Sequence, residues 1–221
     1  ASMTMDISNQ NKLSEFYEEL KRLNIKIQRP DINKCFADFK SKDNIFYYAL
    51  GAVKNVGFEA VSNIVKERLN GGVFSSLNNF INRINPKDIN KLQLEGLVKA
   101  GAFDDLNTNR KEIYETIPKL ILKSKNVYEN KINNQINLFN IDDENDEVKD
   151  TFEDWKFDER LSKEFESLGF FISDHPLNEY SEILENYDIY NFTDFKDNLN
   201  VSEANIAATI LKVQEKKTQR G

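Results

Sequence analysis

Leu13, Phe16, Tyr17, Leu20 and Leu23 line one side of the backbone if residues 9–23 are wound at helical spacing, and this kind of stripe keeps returning along the chain. Val61, Ile64, Val65 and Leu69 make a second, closed by Gly71-Gly72. Phe74, Leu77, Phe80, Ile81 and Ile84 stop at Pro86, and Leu92, Leu94, Leu97 and Val98 run up to Gly101. Ile113, Ile117, Leu120 and Ile121 follow, and Phe157, Leu161, Phe165 and Leu168 end at Gly169. Short amphipathic helices on short connections can bury their stripes only against one another, so a mainly α fold is predicted. The exceptions lie near the ends. Residues 36–48 hold two apolar runs around Ser41-Lys42-Asp43-Asn44, which predicts a short β-hairpin. Residues 204–214 alternate like one strand of a larger β structure.

Sixteen Phe and eight Tyr supply enough aromatic material for a core. A single cysteine, Cys35, excludes an internal disulfide framework and suits a reducing compartment. No run of eighteen apolar residues and no charged leader ahead of an apolar stretch occurs, so a soluble chain without a membrane partner is expected. Ala1 at the start and a lone strand at the end suggest a piece of a longer protein.

Two connections carry chemistry. Between the apolar end at Leu50 and the helix expected from Phe58 stands Val53-Lys54-Asn55-Val56-Gly57. It is similar to the turn of a helix-hairpin-helix element, usually Gly-x-Gly, where bare backbone approaches a phosphate and the amides of the second helix face it without reading base sequence. Asn55 replaces the first glycine, and Asn is the residue that best tolerates a left-handed backbone after Gly. A second, more degenerate hairpin is offered by Lys99, Ala100 and Gly101, with Asn109 and Arg110 opening the next helix. Salt-dependent DNA binding whose slope falls when Lys54 or Arg110 is changed to Ala is the expectation for the pair.

The polar stretch 125–150 carries a different signal, Gln135-Ile136-Asn137-Leu138-Phe139. A Gln followed by a Leu-Phe pair in a solvated tether suits a docking peptide, because burying each large apolar side chain yields roughly 1.5–3 kcal/mol. The pattern resembles the internal clamp-binding motif of bacterial replicative polymerases. Together with Ala49-Leu50-Gly51-Ala52-Val53-Lys54-Asn55-Val56-Gly57, with Leu97 to Asp104, and with Leu168-Gly169-Phe170-Phe171-Ile172-Ser173-Asp174-His175-Pro176-Leu177, it stands in the order and spacing of the α subunit of bacterial DNA polymerase III. Residues 1–6 and 29–33 resemble the distal fingers of that family.

The resemblance implies a distal fingers segment at 1–48, a tandem helix-hairpin-helix domain at 49–126, and a linker with the clamp motif at 127–150. A helical connector at 151–200 and the truncated first strand of an oligonucleotide-binding (OB) fold at 201–221 would complete the chain. The implied partners are duplex DNA, held without sequence specificity, the sliding clamp (the β subunit), and other replisome subunits of the holoenzyme. The location implied is cytoplasmic, at replication forks on the nucleoid. The implied activity of the parent is DNA-directed DNA synthesis, with Mg2+ and the catalytic carboxylates in a palm upstream, so that no catalytic residue, metal ligand or cofactor is expected among these 221 residues.

Charge and the remaining candidates fit this. The net charge of −7 is concentrated between Asp142 and Ser167, where twelve acidic residues meet four basic ones, leaving the rest near neutral. The run Asp142 to Glu147 has ligand types for a cation but neither the turn glycine nor the spacing of an EF-hand. His175, the only histidine, has no Cys or second His beside it and is expected to cap a turn. Trp155 at helical spacing is expected in the core. A competing reading is an independent helical adaptor whose hairpins bind protein.

Overall fold

The computed structural model describes residues 2–132, 152–187, 189, 195, 203–211 and 213. Helices dominate them: α1 (Ser2–Met5), α2 (Gln10–Arg22), α3 (Phe58–Gly71), α4 (Leu77–Arg83), α5 (Lys91–Lys99), α6 (Arg110–Ile132), α7 (Phe157–Leu168) and α8 (Ser181–Leu184). Between α2 and α3 lie three short strands, β1 (Lys26–Gln28), β2 (Lys40–Lys42) and β3 (Ile45–Tyr47), and a 3-10 turn at Leu50–Ala52. Residues Ala1–Ser173 make one compact unit and Asp174–Gly221 a second.

The helices start and stop where local chemistry dictates. Asn9 accepts the Lys12 N–H at the head of α2, Ser76 accepts the Asn79 N–H at the head of α4, and Asn90 and Gln93 form a reciprocal capping box at α5. The predicted hairpin is β2 and β3, antiparallel with Lys40 opposite Tyr47. Asp43 and Asn44 turn it with φ of 51° and 61°, the double left-handed step that a two-residue hairpin needs. Residues 26–28, left unassigned by the sequence pattern, add a third strand parallel to β3. Three residues carry too little periodicity to announce themselves, and their extended shape comes from pairing with β3. Helix α6 runs through Pro118 to Ile132, well past the apolar stripe that predicted it.

The core of the first unit is contiguous. Phe80 lies edge-on between Phe74 and Phe103 with ring centroids 5.0 and 5.2 Å away. α5 packs on α6 and α7, and α4 on α6, which buries Leu94, Leu97, Ile113, Ile117 and Leu161. Each such side chain contributes roughly 1.5–3 kcal/mol relative to exposure. Trp155 is buried against Tyr114, centroids 5.4 Å apart, which makes it a core residue. Tyr17 of α2 donates its hydroxyl to the Ile172 carbonyl at 3.1 Å, and burial pushes its phenol up to about 12.

Cys35 is fully buried, its Sγ–H donates to the Arg29 carbonyl at 3.1 Å, and burial pushes the thiol up to about 12. Because only a thiolate reacts, Cys35 is expected to resist a disulfide-exchange reagent at mildly alkaline pH and to react fully once denaturant is added. Rapid labelling of the folded chain would contradict this packing.

In the second unit, His175 caps a 3-10 turn (Pro176–Tyr180), its Nδ1 accepting the Leu177 N–H at 3.2 Å, as its position before proline predicted. The strand expected over 204–214 is not formed among the described residues there. A single parallel bridge joins Ile189 to Asn205. A strand needs a ladder of partners for its backbone amides and carbonyls, and one bridge does not supply it.

Candidate nucleic-acid interface

The first hairpin turn runs from the 3-10 turn at Leu50–Ala52 through residues 53–57 into α3. Asn55, placed by the sequence where a glycine is usual, has φ of 66°, so the left-handed step is present without the glycine. Gly57 itself sits at φ −74° as the N-cap of α3 and has no side chain to cap the amides behind it. The intrahelical ladder begins with the Val61 N–H donating to the Gly57 carbonyl, so the amides before it point out of the helix end. Lys54, Asn55 and Gly57 are exposed and Val56 is buried, which anchors the turn from below while leaving its outer rim open.

Two further elements hold this turn, and sequence reasoning missed both. The Lys54 N–H donates to the Ser167 carbonyl of α7 at 2.9 Å. On the other side Gly96 of α5 faces the Lys54 carbonyl so closely that a Cβ there would stand 2.6 Å from the oxygen. A lone glycine in the middle of the stripe Leu92, Leu94, Leu97, Val98 was the available signal for such a close approach. Gln93, in the first turn of α5, places its Nε2 3.3 Å from the position a Cβ would take on Gly57.

The second hairpin repeats the backbone and not the openness. Gly101 follows α5 at φ 79°, with its amide on the Val98 carbonyl, and Ala100, Gly101 and Ala102 are buried. Lys99 points to Glu166 of α7 at 2.9 Å; burial works against its charge, and the Glu166 carboxylate outweighs it and holds the ammonium above its ordinary value. Asn109 accepts the Glu112 N–H at 2.9 Å and gives its own amide to the Phe152 carbonyl at 2.6 Å. The Lys111 N–H donates to Asp154 at 3.1 Å. The amides opening α6 therefore already face the protein's own oxygens.

Arg110 corrects the expectation that it faces DNA. It is 3% exposed, and its guanidinium forms a two-pronged pair with Asp104 at 2.8 and 2.7 Å, donates to the Lys99 carbonyl at 3.0 Å, and lies 3.5 Å from the fully buried carboxylate of Glu164. Burial opposes the charge, yet Asp104 and Glu164 together hold it above its ordinary value. Glu164 in turn accepts the N–H groups of Ile172 and Ser173 at 2.7 and 2.8 Å. Arg160 joins the cluster through Asp104 and Asp154. Arg110 thus ties the second turn to α7 from inside and has no face left for a phosphate.

The fold brings the candidates Lys54, Asn55, Val56 and Gly57 together as one turn, with Lys54, Asn55 and Gly57 exposed and Val56 buried beneath them. It draws Lys99, Ala100, Gly101, Asn109 and Arg110 into internal contacts. Gln135 to Phe139 lie outside the described residues, as does the acidic run 142–147. Among the described residues no cluster of His, Cys, Asp and Glu is arranged to hold a metal ion, and no helix is long and apolar enough to cross a membrane.

Comparison with known proteins agrees with this geometry. Residues 24–113, which hold both turns, match the model of the helix-hairpin-helix motif. DNA polymerase III subunit alpha of Borreliella burgdorferi is 36% identical over 196 residues, covering 86% of this chain. The subunits of the same name from Caulobacter vibrioides and Campylobacter jejuni are 35% and 34% identical, over 81% and 92% of the chain. The chain belongs to the DNA polymerase III α-subunit family. It spans 17%, 16% and 18% of the length of these three relatives, so it corresponds to one stretch of a much longer family architecture. Within that stretch it is mainly helical, and both of its hairpin turns fall inside the matched motif.

Proposed function

We propose that this chain is the part of a bacterial replicative DNA polymerase that holds duplex DNA and docks on the sliding clamp. The observation that carries the DNA half of the reading is the open first turn. A left-handed Asn55, an uncapped Gly57 and an exposed Lys54 present outward amides and one cation, which is what a backbone phosphate requires. Contact is made to phosphate rather than to base edges, so binding is independent of sequence. The first turn makes this contact, and the second serves as its internal brace.

The clamp half rests on Gln135 to Phe139. Leu138 and Phe139 enter an apolar pocket on the ring, and Gln135 hydrogen-bonds at its edge. Tethering the polymerase to a ring around the duplex makes rebinding intramolecular and raises its effective concentration to about millimolar. Nucleotidyl transfer itself, with its Mg2+, belongs to a palm elsewhere in the parent protein, and this chain alone is inactive in synthesis. The parent works in the cytoplasm, with the other holoenzyme subunits, at forks on the nucleoid.

A salt titration of duplex DNA binding tests the DNA half. Lys54→Ala is expected to reduce the slope of log K against log salt by about one, with little dependence on the DNA sequence chosen. A slope identical to that of the parent chain would show that the first turn is not the contact.

A further inference from the structure

The first residue of α3 is an aromatic ring left in solvent. Phe58 is 55% exposed, directly after the uncapped Gly57, and its Cδ2 lies 3.2 Å from the position a Cβ would take on Gly51. The absent side chain at Gly51 gives the ring a floor, since a Cβ there would also come within 2.6 Å of the Ala37 carbonyl. One edge of the ring is therefore seated on the 3-10 turn while the rest faces outward beside the open amides. The other large aromatic side chains near this turn, Tyr48 and Phe36, are buried or half-buried. Phe58 thus places an apolar surface at the rim of a polar turn.

We propose that Phe58 packs on the deoxyribose next to the phosphate held by the first turn and supplies the salt-independent part of the grip on DNA. This rests on the reading of residues 54–57 as the phosphate contact. A phosphate is charged and its attraction is screened by salt, whereas the sugar beside it presents carbon-bound hydrogens. Because Phe58 is one residue from Gly57, a strand whose phosphate meets the amides at the head of α3 brings its flanking sugar to the ring. Lys54 and the amides give the screened component of binding, and Phe58 the component that persists as salt rises. Glu59, exposed in the same helical turn, bears a charge that phosphate avoids. Phe58, one residue before it, offers the strand a neutral surface instead.

The experiment is a salt series of duplex DNA binding by fluorescence anisotropy with the full 221-residue chain and its Phe58→Ala and Phe58→Leu variants, each checked for an unchanged melting temperature by circular dichroism. Phe58→Ala is expected to weaken binding by about tenfold at every salt concentration, giving a line parallel to that of the parent chain, and Phe58→Leu to recover most of the loss. Unchanged affinity of Phe58→Ala, or a changed slope, overturns the proposal while leaving the phosphate contact intact. Absence of salt-dependent binding by the parent chain overturns the phosphate contact itself and this inference with it.

Discussion

Arg110→Ala is expected to destabilise the fold by about 3–5 kcal/mol, because it leaves the buried Glu164 carboxylate without its cation and removes three hydrogen bonds to Asp104 and the Lys99 carbonyl. For a unit of this size that amounts to a fall in melting temperature of roughly 10 °C, measured by circular dichroism. Below the melting transition the variant is expected to keep the salt slope of DNA binding, since the guanidinium it loses never faced solvent. An Arg110→Ala chain that melts like the parent but binds DNA with a lower salt slope would place the side chain on the surface and reverse the assignment. The contrast with Lys54→Ala separates the two turns, one acting on binding and the other on stability.

The double change Leu138→Ala with Phe139→Ala is expected to abolish binding to a sliding clamp in calorimetry while helical content stays the same. Two large apolar side chains at roughly 1.5–3 kcal/mol each correspond to a loss of about 10²- to 10⁴-fold in affinity. The far-ultraviolet spectrum serves as the control for an unchanged fold. Undiminished clamp binding by the double variant would remove the docking role from Gln135 to Phe139 and leave the DNA contact standing by itself.

The two hairpins sit in different surroundings. Their sequences look related, each with an apolar approach, a lysine and a glycine before the next helix. Their surroundings differ because α7 and the segment before it cover the second. Asp154 accepts the Lys111 N–H of α6, Glu166 takes Lys99, and Glu164 takes Arg110. All three carboxylates come from the stretch between Asp142 and Ser167 in which the chain's net negative charge is concentrated. Part of that charge therefore serves as counter-charge for the second turn.

The helices were legible in the residues themselves. The stripe from Leu13 to Leu23 and the stops at Gly71, Gly101 and Gly169 are local signals, read over one or two helical turns, and α2 to α5 and α7 follow them within a few residues, whereas α6 runs on past its stripe to Ile132. Asn55 is the sharpest case, since a left-handed backbone was required at that position and the one side chain that tolerates it after glycine adopts it. What local pattern could not decide was which of two similar turns stays open. That outcome depends on Ser167 behind Lys54, Gly96 against its carbonyl, and Glu164 reaching Arg110 across more than fifty residues of sequence. A cation reads the same in a sequence whether it meets solvent or a buried carboxylate, and only the packing of α7 across α5 and the head of α6 makes Arg110 structural and leaves Lys54 free to meet a phosphate.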